Sequence, residues 1–124
     1  MPNQPPEVAA LKEKMWQKNY YVMTRSMRDP SKIKPVLLEH YQWMIQMEKD
    51  DLVFASGPLF KQDGSPGVGM TVWRVESFEE ADRLAAQDPF VSNGGVDYEI
   101  QRWQINEGRV NVSVDFSDQS FRVS

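Results

Sequence analysis

Between Asn19 and Ile105 the hydrophobic period of the chain switches in the order strand, helix, strand, strand, helix, strand, and few architectures accept that order. Asn19–Ser26 is dense in β-branched and aromatic residues, as a strand requires. Ile33–Lys49 places Ile33, Val36, Leu37, Met44 and Met47 on one helical face. Pro35 is tolerable there because it falls in the first turn, and Ser31 is the expected cap. Asp50–Leu59 is the second strand, closed by Gly57-Pro58, and Gly64–Gly69 is a hairpin turn. Val68–Glu76 is the third, with Met70, Val72 and Arg74 on one face and Thr71, Trp73 and Val75 on the other. Ser77 and Glu80 form a capping box before a helix with Phe78, Ala81, Leu84 and Ala85 on its apolar face. Val96–Ile105 is the last strand. The expected fold is α+β: a ferredoxin-like βαββαβ sandwich, one antiparallel sheet with two helices on one face.

Such a sheet has a second face. Its strands carry large residues on both alternations, among them Tyr20, Tyr21, Met23, Phe54, Tyr98 and Trp103. Two sheets packed face to face would cover them, so the pattern favours a homodimer in the form of a dimeric α/β barrel. The alternative is that the flanks cover that face within one chain. Residues 1–18 form a proline-rich leader and a short helix, Val8–Gln17, with Val8, Leu11 and Met15 at helical spacing. Residues 19–106 are the main domain. In the tail, residues 107–124, Val110, Val112, Val114 and Phe116 alternate with Asn111, Ser113 and Asp115. That is a half-buried C-terminal strand, extending a sheet edge or reaching another subunit.

Composition narrows the function. The 124 residues suit one domain, and a net charge of -4 with scattered cations argues against a nucleic-acid partner. No apolar run is long enough for a membrane span, and no signal peptide is visible, so cytoplasmic residence is the default expectation. With no cysteine and one histidine, disulfides, thiolate nucleophiles and a multi-histidine zinc site within one chain are excluded. Gly64–Gly69 lacks the Lys-Ser/Thr end of a phosphate loop. The expectation is no metal and no cofactor.

The one histidine, His40, sits in the middle of the apolar stripe of its helix, so it faces inward or toward a cleft and needs a hydrogen-bond partner. Met by a carboxylate it would be a general acid/base. Bonded to a backbone carbonyl it would be a core residue. Asp88, at the end of the second helix and before Pro89, has its own local explanation. The residue before proline is pushed out of helical geometry, and aspartate starts turns.

Three stretches together, Leu37–Met44, Leu52–Leu59 and Ser77–Trp103, resemble the YCII-related (YciI-like) family. The most specific part is the helix ending in Asp88-Pro89-Phe90. The resemblance implies a ferredoxin-like fold paired as a dimeric barrel, with a His-Asp active-site pair that falls on His40 and Asp88. Some members resemble muconolactone isomerases, and one branch dehydrochlorinates a chlorinated hydroxyquinol. Many members carry Arg one turn before the histidine, where this chain has Leu37; Arg25 or Arg74 would have to replace it.

The function expected is a cofactor-independent lyase or isomerase on a small cyclic or aromatic compound. His40 would move the proton and Asp88 would orient the imidazole. Ser56, Gly57, Phe90 and Arg25 would bind the substrate, with Trp73 and Tyr98 either walls or core. The alternatives are a non-catalytic ligand-binding or accessory dimer, a heme protein, and a structural domain whose tail swaps between subunits.

Overall fold

The computed structural model describes residues 4–124, for Val68 the backbone only. The chain divides into two compact units, residues 19–104 and residues 4–18 with 105–124. The larger unit contains β1 (Lys18–Met27), α2 (Leu37–Lys49), β2 (Val53–Phe60), β3 (Pro66–Trp73), α3 (Phe78–Ala85), α4 (Pro89–Ser92) and β4 (Val96–Ile105), the terminal residues of β1 and β4 aside. In chain order they follow α1 (Pro6–Glu13). The strands lie in the order β2-β3-β1-β4, with β3 antiparallel to both β1 and β2. This is the sheet order of the ferredoxin-like α+β fold.

Alternation sorts the side chains. Tyr21, Met23 and Trp73 point to the helix side, where they meet Met44 of α2 and Ala81, Leu84 and Ala85 of α3 in one buried cluster. Ser77 caps α3 as expected, its Oγ accepting from the Glu80 amide at 3.1 Å. Phe78 departs from the expected apolar face: it is half-exposed, with its ring edge-on to Tyr21 at 4.9 Å.

Several boundaries move for local reasons. The segment expected as one helix from Ile33 begins as two 3-10 turns, Pro30–Lys32 and Lys34–Val36, and turns α-helical only at Leu37. Pro35, which lacks an amide proton, keeps that region from forming regular α-helical bonds. The cap of the first turn is Asp29, whose carboxylate accepts from the Ser31 amide and hydroxyl at 3.1 and 2.6 Å; Ser31 is the donor rather than the cap. The same Asp-x-Ser device closes the β2–β3 turn, where Asp63 accepts from Ser65 and Gly64 takes a φ of 85°. Strand β2 begins at Val53 rather than Asp50 and runs one residue beyond Leu59, to Phe60, with a register shift beyond Pro58. Proline survives there because β2 is an edge strand.

In the smaller unit, α1 starts earlier than expected, with Pro6 at its first position, and ends at Glu13 before Met15. The expected loose leader lies in part outside the described residues. The tail is not one strand but a hairpin of β5 (Val112–Val114) and β6 (Phe121–Val123). Asp118 accepts from the Ser120 amide at 3.0 Å, and Gln119 adopts a φ of 59°, so the chain reverses where the alternation seemed to continue. Among the described residues no helix is long and apolar enough to cross a membrane.

Candidate active site

Asp88 ends one helix and begins the next. Its amide closes a turn onto the Ala85 carbonyl at 3.1 Å, and as N-cap of α4 its Oδ1 accepts from the Phe90 amide at 2.9 Å. The turn explanation is therefore correct, and it is incomplete. The same Oδ1 lies 2.7 Å from His40 Nδ1, and Oδ2 accepts from Arg25 Nε at 2.7 Å. The carboxylate is fully buried, with Arg25 and His40 6% and 8% exposed. One carboxylate thus joins α2, β1 and the start of α4.

Charge sets the proton positions. Burial alone would raise the Asp88 carboxyl's pKa; the His40 hydrogen bond and the Arg25 and His40 charges outweigh it and hold the group below the ordinary carboxylate range. An ionised carboxylate only accepts, so Nδ1 of His40 carries a proton and donates it. In the neutral ring Nε2 then holds the lone pair, the form a general base needs. The ring plane is fixed by Phe90, stacked on the imidazole at 3.9 Å between centroids and 11° between planes.

Arg25 does more than neutralise Asp88. Its Nη1 donates to Thr71 Oγ1 at 2.9 Å, and Thr71 Oγ1 is 2.8 Å from Ser56 Oγ on the neighbouring strand, where the two residues are cross-strand partners. Ser56 also donates to the Met70 carbonyl at 3.1 Å.

Beside this cluster lies a cavity of about 440 Å³ between α2 and the β2–β3 edge of the sheet. Arg25, His40, Ser56, Gly57 and Phe90 all line it, and Asp88 stands buried behind His40. The other walls are mostly apolar, including Ile33, Leu37, Tyr41, Met44 and Ile45. Trp73 and Tyr98 are core: Trp73 is fully buried against Trp43, and Tyr98 packs on the cluster with its hydroxyl bonded to Asp82, which pushes it up to about 12. Arg74 lies over the rings of Tyr20 and Phe54 at 5.7 and 5.2 Å and does not line the cavity. Thr71 is the member that sequence reasoning passed over. Its signal was a hydroxyl on the inward, aromatic face of β3. Among the described residues no group of three or more histidine, aspartate or glutamate side chains could hold a metal ion.

These features define a class: a ferredoxin-like α+β domain with a buried Arg-Asp-His cluster at the wall of an apolar cavity. The model of the YCII-related domain matches residues 19–104, and the chain belongs to that family. A solved structure with the same fold is 5-chloro-2-hydroxyhydroquinone dehydrochlorinase (TftG) from Burkholderia phenoliruptrix AC1100, in complex with 2,5-dihydroxybenzoquinone. It is similar at a TM-score of 0.56 and 17% identity, over 68% of this chain and 92% of that one. No curated protein matches the chain.

Proposed function

We propose that this protein is a cofactor-independent lyase or isomerase of a small cyclic or aromatic compound, working by acid/base catalysis at His40 and Asp88. The observation that carries this is the 2.7 Å contact between Asp88 Oδ1 and His40 Nδ1 at the wall of the cavity. In this reading Nε2 takes a proton from the bound ring, Asp88 stabilises the imidazolium, and the proton is returned or accompanies loss of a leaving group. Ser56, Gly57, Phe90 and Arg25 are the substrate-binding set. The cavity suits a single ring with a few polar substituents. The name and ligand of the TftG structure point to hydroxylated quinols and quinones as the first compounds to try.

The homodimer belongs to the same proposal. Trp103, on the alternation of β4 opposite Tyr98 and Ile100, remains 43% exposed, a residue suited to a second sheet. Sedimentation velocity on the full chain tests this; a monomer at every concentration removes it.

The catalytic test is turnover of a panel of chlorinated and unchlorinated quinols, followed by chloride release and quinone absorbance. His40→Ala is expected to lower kcat by about a hundredfold or more, and Asp88→Asn by a comparable factor. Unchanged turnover in both variants overturns the proposal. Binding by the wild type without turnover of any compound would favour the ligand-binding alternative.

A further inference from the structure

We propose that Ser56 is a second catalytic residue of this cavity, a hydrogen-bond donor to the oxygen that gains negative charge during reaction, and that Thr71 and Arg25 are its positioning residues. The proposal rests on the acid/base reading of His40 and adds the substrate class: a ring with a carbonyl oxygen conjugated to the carbon that loses its proton.

The direction of each hydrogen bond follows by elimination. A guanidinium has donors and no acceptor, so Arg25 Nη1 gives its proton to Thr71 Oγ1. Thr71 must then direct its own hydroxyl proton elsewhere. Its two neighbours are Ser56 Oγ at 2.8 Å and the Met44 thioether at 4.0 Å, and sulfur is a poor acceptor. Ser56 in turn faces the Met70 carbonyl at 3.1 Å, which can only accept. The one assignment that serves every oxygen runs Arg25 to Thr71 to Ser56 to Met70. It is a row of donors that begins at a buried cation and ends on a hydroxyl at the cavity wall. Each donor polarises the next, so the terminal hydroxyl is favoured as a donor to an anion. Its resting acceptor, a neutral carbonyl, is the weaker partner; an oxyanion is the stronger.

His40 and Ser56 thereby divide the reaction. A C–H bond of the ring breaks and its proton goes to Nε2 of His40. The electron pair moves through the conjugated system onto the oxygen, which Ser56 holds as an enolate or phenolate. The pair then returns to take a proton at another carbon, or expels a leaving group from the adjacent carbon. No oxidant or reductant is needed. Arg25, itself in the cavity wall, has its charge paired with Asp88 and its Nη1 on Thr71, so its effect on the oxyanion runs through Ser56.

The test reads the charge state of a bound probe and is independent of turnover. 4-Nitrophenol absorbs differently as phenol and as phenolate, and the full chain is titrated with it at a pH where the free phenol predominates. The wild type is expected to bind it enriched as phenolate. Ser56→Ala, which removes an exposed side chain, should weaken phenolate binding by about ten- to a hundredfold. Thr71→Val should fall to the level of Ser56→Ala and Thr71→Ser should restore the wild-type spectrum; should Thr71→Val fail to fold, Ser56→Ala and Thr71→Ser decide. Equal phenolate enrichment in wild type and Ser56→Ala overturns the proposal, as does a wild type that binds no phenolate. Either result leaves the turnover test of His40 standing, and failure of that turnover test with the expected spectra would remove the enzyme reading while keeping the anion site.

Discussion

Strand β1 and the hairpin β5–β6 are written in the same alternating style and end differently. In β1, Tyr21 and Met23 alternate with Val22 and Thr24 and are buried beneath α2 and α3. In the hairpin, Val112 opposes Val123 and Val114 opposes Phe121, so these four share one face, yet all stay between 59% and 70% exposed. Alternation tells which face of a strand is apolar. It does not tell whether anything lies over that face. The helices that cover β1 belong to the same folding unit, and their own periodicity announces them. The hairpin shares its unit with α1, and its apolar face stays exposed all the same.

The largest expected effect is at the point where the covered region holds a charge. Asp88→Ala leaves the buried Arg25 without its counter-ion and the Phe90 amide without its cap acceptor. Removing one partner of a buried pair costs about 3–5 kcal/mol, and the measurement is the urea midpoint of the full chain. A loss below about 1 kcal/mol would mean that water reaches Arg25, and that the covered region is less closed than its burial indicates.

Acid titration sharpens the same point. The Asp88 carboxyl has a lower pKa folded than unfolded. Such a group adds stability above its unfolded value, about 4, and loses it as the pH falls through the folded value. As the pH falls, the advantage of wild type over Asp88→Asn in urea that comes from this carboxyl should therefore narrow only below about pH 4. Asp29, Asp63 and Asp118 are also held low, by their Ser31, Ser65 and Ser120 bonds, but they are present in both proteins and drop out of the difference. An advantage that narrows already near neutral pH would contradict the ionised Asp88 on which the His40 tautomer depends.

The sequence made β1, α2, β3, α3 and β4 legible because each has a clear period, although the boundaries of α2 and β3 moved by several residues. Ser77 is the best case: a cap, a box and an apolar run all say the same thing, and the hydroxyl accepts where expected. His40 was legible because a polar ring in an apolar stripe requires a partner. Asp88 was legible only through family resemblance, since its local duty as a cap is sufficient by itself. Thr71 was missed because hydrogen bonding between strands depends on register, and no local rule supplies that. The tail was misread because alternation across Val110–Phe116 conceals the reversal that Asp118 and Gln119 impose.

The smallest expected effect tests the comparison itself. Val114→Ser and Phe121→Ser exchange apolar for polar side chains on the exposed face of the hairpin. Changes on an exposed surface remain within about 0.5 kcal/mol, whereas Met23→Ala in the covered sheet should cost about 2–5 kcal/mol. The three variants are compared by thermal melts at two protein concentrations. If the hairpin variants lose as much as Met23→Ala, and the wild-type melting temperature rises with concentration, a second copy lies over the hairpin. Concentration dependence is the mass-action signature of association, and burial within one chain would not produce it. A two-stranded hairpin this short is marginal by itself, so a neutral result would also show that its backbone pairing suffices without the apolar face.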